Sequence, residues 1–111
     1  MLLLGHMDTV FPAGTVAQRP FSIIEDRAYG PGVVDMKASL LSAYFALRHL
    51  HNNGLLHDAS ICLLFNSDEE ISSIISRPLI EEAARRSACA LVLEPAREDG
   101  SMVHTRRGVG R

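Results

Sequence analysis

The feature that most constrains this chain is a set of short apolar runs, each followed by acidic or imidazole side chains. The runs span residues 2–4, 32–34, 61–65 and 91–93. The polar residues that follow them are His6 with Asp8, Asp35, Glu69 with Glu70, and Glu94. Short apolar runs that alternate with helical stretches are typical of parallel strands in an α/β sheet. Since ligands bind outside the carboxyl ends of such strands, we expect these side chains to meet at one edge of the sheet.

One imidazole and several carboxylates at one edge cannot all remain charged and unpaired, because an unpaired buried charge is costly. A cation would neutralise them, and this mixture of nitrogen and oxygen donors suits zinc, with cobalt or another divalent metal as an alternative. Each interval between His6, Asp35, Glu70 and Glu94 is long enough for a crossover connection between parallel strands. The sequence therefore predicts a metallohydrolase.

Length and composition limit the other classes of function. The 111 residues form at most one domain, and 47% hydrophobic with 22% charged residues is typical of an ordinary folded chain. The net charge of −2 gives no reason to expect nucleic acid or an anionic membrane as a partner. The apolar runs are far shorter than the roughly 20 residues that span a bilayer, and residues 1–4 lack the pattern of a signal peptide. We expect a cytoplasmic protein.

The surroundings of the two cysteines in the sequence indicate their state. Cys62 and Cys89 lie inside apolar, strand-like runs, so we expect two buried, reduced thiols. Neither has a second Cys or a His at ligand spacing, which argues against a zinc role for them.

The pattern along the chain predicts alternating strands and helices. The predicted strands span residues 2–5, 60–65 and 89–93, and another begins over residues 102–107. The strand at 60–65 has few polar residues, as expected when both of its faces are covered. The predicted helices span residues 36–51, with Gly54 as the stop signal, and 78–86, with Pro78 in the first turn. Residues 11–27 are predicted to be a loop and residues 28–32 a turn.

The ends of the chain break this pattern. Met1 falls directly before a strand that should be central, and residues 108–111 have neither a cap nor a tail. We therefore expect residues 1–111 to be part of a larger catalytic domain.

The motifs carry alternatives when each is taken alone. His6 and Asp8 point to the same side of an extended chain, so Asp8 would orient a metal-bound His6, but both could also be solvated at a strand end. Asp35 would bridge two metal ions or cap the helix that follows it. Residues 68–70 are either a solvated acidic turn or a pair of glutamates with different partners, one on the metal and one acting as general base.

Four ordered segments resemble a known family. The segments "GHMDTVFPAGT", "YGPGVVDMKASL", "LLFNSDEE" followed by "SRPLIEEA", and "LVLEPAR" resemble the co-catalytic zinc family of glutamate carboxypeptidase, acetylornithine deacetylase, succinyl-diaminopimelate desuccinylase and aminoacylase. The "TVFPAGT" and "SRPLIE" stretches are most similar to the glutamate carboxypeptidase branch. The resemblance implies an α/β catalytic domain with a mainly parallel sheet and flanking helices.

The resemblance also implies a role for each residue. His6 and Glu94 resemble ligands of the first zinc, Asp35 the bridging carboxylate and Glu70 a ligand of the second zinc. Asp8 resembles the carboxylate that orients His6, and Glu69 resembles the general base that acts on a metal-bridging water. A cis peptide is expected after the bridging residue, between Asp35 and Met36.

The chain departs from the family pattern in three places. Ser72 stands where the family usually has Gly after "DEEI". A later His that completes the second zinc site is missing, and none of His49, His51, His57 and His104 has the expected context. The lid domain that helps to bind substrate and forms the dimer is also missing.

These observations lead to one function and two alternatives. The expected function is zinc-dependent hydrolysis of an amide bond in an N-acylated amino acid or peptide. The alternatives are an inactive truncated remnant, and a fragment that binds one metal through His6, Asp35 and Glu94. An incomplete sheet would leave an exposed edge, so we also expect self-association of the chain.

Overall fold

The computed structural model describes residues 1–105. In chain order the elements are β1 (Leu2–His6), α1 (Thr15–Gln18), β2 (Ser22–Ile24), β3 (Arg27–Tyr29), α2 (Ala38–Asn52), β4 (Cys62–Asn66), α3 (Arg77–Arg85) and β5 (Ala90–Val92). The three strands predicted at residues 2–5, 60–65 and 89–93 and the two predicted helices are therefore present, with ends shifted by one or two residues.

The main sheet is parallel and has the order β4-β1-β5. Leu2 of β1 is paired with Cys62 of β4 and with Ala90 of β5, so all three strands run in step. Their carboxyl ends consequently lie at the same edge of the sheet. This arrangement, with helices between the strands, confirms the predicted α/β class.

The apolar run at residues 32–34 is not a strand, and the prediction that Asp35 follows one is wrong. Gly30 and Gly32 have positive φ angles of 155° and 71°, which turn the chain before the run can extend. The N–H of Lys37 then donates to the carbonyl of Gly32 over 2.9 Å, closing an irregular turn that leads into α2. The peptide between Asp35 and Met36 is cis, as predicted.

The loop predicted over residues 11–27 contains regular structure. It holds the short helix α1 and most of an antiparallel hairpin in which Ser22 of β2 pairs with Tyr29 of β3. The second strand extends into residues 28–29, which were predicted to belong to a turn. The hairpin turns through Glu25 with a φ of 53°, although neither Gly nor Asn marks this position. Proline and glycine at residues 12, 14 and 20 concealed these short elements in the sequence.

The prediction of buried cysteines is also wrong. Cys62 and Cys89 are both free thiols and both exposed. β4 and β5 are the outer strands of the main sheet, and Leu63 and Leu91 on them are exposed as well. The apolar composition of residues 60–65 therefore does not reflect two covered faces within residues 1–105.

Both long helices have the end signals that the sequence suggested. At the end of α2, Gly54 has a φ of 68° and its N–H donates to the carbonyl of His51. The N–H of Leu55 donates to the carbonyl of Leu50, which completes a glycine-based C-cap. Pro78 lies in the first turn of α3. Of the strand predicted at 102–107, residues 102–105 are not in a strand, and Arg106 and Arg107 lie outside the described residues.

The core is small and is formed by β1, α2 and the turn that precedes α2. Leu2, Leu3, Met36 and Ala43 are its buried apolar side chains within residues 1–105. Met36 is fully buried, and the main-chain N–H of His6 donates to its sulfur over 3.0 Å. The turn that precedes α2 therefore packs against the end of β1 through Met36.

Gly5→Ala is expected to destabilise this junction by about 1–3 kcal/mol, because overpacking a filled core displaces its neighbours. A Cβ at position 5 would lie 2.6 Å from Cδ2 of Leu40 and 3.2 Å from Cε of Met36. Urea unfolding measures the change. Adding Leu40→Ala relieves the closer contact, so the two substitutions together should cost less than the sum of the single changes. Additive costs would show that position 5 is not crowded by Leu40.

The structure bears on only one of the predictions about location and association. No helix within residues 1–105 is long and apolar enough to cross a membrane. Cytoplasmic location, self-association through the outer strands and the treatment of residues 1–111 as one partial domain remain predictions.

Candidate metal centre

The centre is built around His6, the last residue of β1. Its side chain is only 1% exposed, and its Nε2 atom faces three carboxylates. Nε2 lies 3.0 Å from Oδ1 of Asp35, 3.5 Å from Oε1 of Glu94 and 4.0 Å from Oε2 of Glu69. The structure therefore brings together residues from the ends of β1, β4 and β5 and from the turn before α2, whereas the sequence predicted that Asp35 follows a strand as well.

Asp8 lies on the other side of the His6 ring. Nδ1 of His6 is 3.1 Å from the main-chain carbonyl of Asp8 and 3.3 Å from its Oδ1. The second oxygen, Oδ2, accepts the N–H of Glu70 over 3.0 Å. The hydrogen bond to His6 is therefore made by the main-chain carbonyl of Asp8, while its carboxylate lies beside the ring and accepts the N–H of Glu70. Oδ1 of Asp8 is buried and has no hydrogen-bond partner within residues 1–105.

Asp35 reaches the centre from the irregular turn and not as a helix cap. The residue before α2 is Lys37, and no side chain caps that helix end. The carboxylate of Asp35 instead lies against Nε2 of His6, with about half of its side-chain surface exposed. Gly32 makes this possible, because a Cβ there would lie 2.5 Å from Thr9 and 2.7 Å from Nζ of Lys37. Lys37 itself donates to the carbonyl of Met7 over 3.3 Å, so it connects the turn to the residue that follows β1.

Two groups of potential ligands share His6. His6, Asp35 and Glu70 form one group, and His6, Glu69 and Glu94 form the other. Within each group the donor atoms lie within 4.8 Å of one another. The two groups together contain five of the six residues singled out in the sequence, and the sixth, Asp8, contacts the other side of the His6 ring. Their separate roles as ligand, orienting group or base remain predictions.

The pKa of His6 indicates which charge the centre favours. Burial lowers the pKa of His6, but hydrogen bonds to Asp8 and Asp35 and the charges of Glu94 and Glu69 outweigh it, so the pKa lies above its ordinary value. The surrounding carboxylates thus favour a positive charge at Nε2. A divalent metal would supply that charge, and one imidazole with several carboxylates is a donor set that suits zinc. The residues therefore fit the metal that the sequence predicted.

A buried network of polar side chains next to the centre was not predicted from the sequence. Asn66, Asp68 and Ser76 are all buried, although each carries a polar side chain. Hydrogen bonds from the hydroxyl and N–H of Ser76, the N–H of Ile75 and the amide of Asn66 lower the pKa of Asp68 despite its burial. Asp68 is therefore an ionised carboxylate that faces its own loop. The only signal in the sequence was its place in the acidic run 68–70.

The other histidines do not join this centre. His49 and His51 lie in the last turn of α2, and both are exposed. His104 is exposed and contacts the hydroxyl of the neighbouring Thr105. Among residues 1–105, His6 is the only histidine in either group of potential ligands.

An open cavity adjoins the centre. It has a volume of about 450 Å³. Its wall combines His6, Glu69 and Glu94 with apolar residues of the sheet and α3, such as Val92 and Ile80. A small organic molecule that entered it would lie beside the carboxylates.

The carboxyl edge of this parallel sheet gathers an imidazole and several carboxylates that could hold a divalent metal ion. Comparison with known proteins agrees: the model of peptidase family M20/M25/M40 matches residues 2–106. The chain belongs to this family, whose members are metal-dependent hydrolases of amide bonds.

Individual relatives show the same relationship. The chain is 41% identical over 95 residues to carboxypeptidase G2 of Pseudomonas sp. (strain RS-16), covering 86% of this chain and 23% of the relative. It is 36% identical over 98 residues to acetylornithine deacetylase of Proteus mirabilis, covering 86% of this chain and 25% of the relative. Succinyl-diaminopimelate desuccinylase of Methylococcus capsulatus is 39% identical over 79 residues, covering 65% of this chain and 20% of the relative. The chain thus spans about a quarter of the length of these proteins or less.

Proposed function

We propose that this chain carries the metal-binding part of a zinc-dependent hydrolase that cleaves amide bonds of N-acylated amino acids or of the C-terminal residue of a peptide. The observation that carries this proposal is the buried His6 with three carboxylates within 4.0 Å of its Nε2 atom. The names of the relatives, which include a carboxypeptidase, a deacetylase and a desuccinylase, support this choice of substrate class.

In this proposal four residues hold zinc. His6, Asp35, Glu70 and Glu94 would be the ligands, and Asp35 would be the carboxylate common to both metal sites. Asp8 keeps the imidazole of His6 in place through Nδ1, so that Nε2 is directed at the metal. Zinc, when bound, would polarise the amide carbonyl and lower the pKa of water.

Glu69 is the proposed general base. Its carboxylate is about half exposed, lies 4.0 Å from Nε2 of His6 and lines the cavity beside the centre. It would accept a proton from the attacking water and return it to the nitrogen of the leaving amine. The N–H of the next residue, Glu70, is tethered to Asp8, which limits how far the base can move.

One observation favours the one-metal alternative. The Nδ1 atom of His6 faces Asp8, so only Nε2 is directed at the carboxylates, and one imidazole nitrogen serves one ion. A second ion would depend on carboxylates among residues 1–105. A chain of this kind would bind one zinc tightly and carry out no hydrolysis.

Turnover with and without metal tests the proposal. The zinc-loaded chain is incubated with N-acetyl and N-succinyl amino acids and with dipeptides that end in glutamate, and released amine is measured. We expect hydrolysis that stops when a chelator removes zinc and returns when zinc is restored. Zinc binding with no hydrolysis of any of these substrates would contradict the proposal and favour the one-metal or inactive alternative.

A further inference from the structure

The buried carboxylate of Asp68 belongs to neither group of potential ligands. Its residue is only 6% exposed, whereas Glu69, the next residue, is about half exposed. An ionised carboxylate is costly to bury unless hydrogen bonds compensate it. Because Asp68 lies beside the proposed base and ligand, its hydrogen-bond partners indicate which part of the site it stabilises.

Asp68 closes the loop that carries Glu69 and Glu70. Its Oδ2 atom accepts the N–H of Ile75 over 2.7 Å and the N–H of Ser76 over 3.0 Å. Its main-chain carbonyl accepts the N–H of Ser73 over 2.7 Å. One residue thus binds the far side of its own loop at three points and sets the path of the chain between β4 and α3.

Asn66 extends this network from the end of β4. Its Nδ2 atom lies 3.2 Å from Oδ1 of Asp68, 3.2 Å from the hydroxyl of Ser73 and 3.0 Å from that of Ser76. Because Asn66 pairs in register with His6 of β1, the network is fixed to the strand that carries the centre.

The loop needs this support because its backbone is unfavourable. Ser72 and Ser73 have φ angles of 76° and 50°, in the left-handed region that costs a residue with a Cβ roughly 1–2 kcal/mol. These are the positions after "DEEI", where Ser72 stands in place of the glycine expected from the family pattern. Hydrogen bonds to Asp68 offset a conformation that the residue types do not favour.

We propose that Asp68 is a positioning residue, which holds the loop of residues 67–76 closed so that Glu69 and Glu70 face His6. The loop is then fixed by two carboxylates: Asp68 from within, and Asp8, which accepts the N–H of Glu70 from outside. The inference rests on the proposed metal centre, since positioning matters here through the ligand Glu70 and the base Glu69.

Metal affinity of three variants of the 111-residue chain tests this role. Asp68→Ala removes every side-chain contact and is expected to weaken Co²⁺ and Zn²⁺ binding by roughly 10- to 100-fold, as loss of a group that orients a ligand does. Asp68→Asn keeps an oxygen for the N–H groups of Ile75 and Ser76 but turns an NH2 group towards Nδ2 of Asn66, so it should recover part of that loss. Asp99→Asn, at an exposed carboxylate that accepts the N–H of Ser101, is the control and should leave affinity unchanged.

The visible absorption spectrum of bound Co²⁺ separates positioning from general stability. We expect it to change in Asp68→Ala and to return in part in Asp68→Asn, whereas a purely structural role would alter only the unfolding midpoint. If Asp68→Ala does not fold, Asn66→Ala tests the same network from its other end and should show the same loss of affinity.

Two results would overturn the proposal. Wild-type affinity and spectrum in Asp68→Ala, while Glu70→Ala loses metal, would remove the positioning role and leave the metal centre standing. Equal losses in Asp68→Asn and Asp68→Ala would show that the hydrogen bonds from Ile75 and Ser76 to the side chain do not position the loop. If neither Glu70→Ala nor Asp68→Ala affects metal binding, the metal centre itself is wrong.

Discussion

His6→Gln is expected to weaken zinc binding by at least roughly 100-fold, the largest effect on zinc affinity that we expect from the substitutions considered. Losing a group that only orients a ligand already costs roughly 10- to 100-fold in affinity, and His6 is itself a proposed ligand. It is also the residue common to both groups of potential ligands. Glutamine retains a polar side chain but has no imidazole nitrogen to direct at the carboxylates.

The affinity is measured by calorimetric titration of the metal-free chain. His49→Gln is the matched control, because His49 is exposed on α2 and should be replaceable without effect. Circular dichroism of each variant confirms that the comparison is made between folded chains. Equal zinc affinities of His6→Gln and His49→Gln would show that His6 does not bind the metal.

Glu69→Gln is expected to slow amide hydrolysis by about 10²- to 10⁴-fold while zinc remains bound, because a general base contributes a factor of this size. The amide of glutamine cannot accept the proton of the attacking water. Rates of amine release from an N-acetyl amino acid are measured at saturating zinc, so that any change in affinity does not enter the comparison.

Glu70→Gln provides the contrast to this variant. Glu70 is a proposed ligand and its N–H is tethered to Asp8, so its substitution should lower zinc affinity first and activity as a consequence. If Glu69→Gln loses zinc and Glu70→Gln keeps it, the two roles are exchanged. If Glu69→Gln keeps full activity at saturating zinc, Glu69 is not the base.

The sequence predicted which side chains lie close together better than it predicted the elements that carry them. His6, Glu69, Glu70 and Glu94 follow parallel strands, and the polarity of a parallel sheet is enough to bring such residues together. Asp35 was grouped with them for a wrong reason, since the apolar run before it is not a strand. Two glycines with positive φ turn the chain there, and only the three-dimensional path shows that the turn ends beside His6.

Burial was the property that sequence predicted least well. An apolar run around Cys62 was interpreted as a strand covered on both faces, yet Cys62 is exposed on an outer strand. Conversely, Asp68 was interpreted with its acidic neighbours, yet it is buried in its own loop. Composition reports which residues favour burial, whereas the contacts of Asp68 depend on N–H groups seven and eight residues further along the chain.

The same limit applies to the short elements. The hairpin of β2 and β3 turns at Glu25 with a positive φ angle, where the sequence has neither Gly nor Asn to signal a tight turn. Its strands are three residues each, too short to show an alternating pattern. Such a hairpin is defined by its cross-strand pairing and not by the local residue types.

The number of zinc ions bound per chain tests the central claim most directly. Purified chain is saturated with zinc, freed of excess metal and analysed for metal and protein content. Glu70→Ala is measured alongside, with Glu98→Ala as the control, because Glu98 is exposed and belongs to neither group of potential ligands.

We expect two zinc ions per chain, a lower value in Glu70→Ala and an unchanged value in Glu98→Ala. One zinc or none in the unsubstituted chain, or a zinc content that Glu70→Ala leaves unchanged, would contradict a two-metal centre formed by His6, Asp35, Glu70 and Glu94.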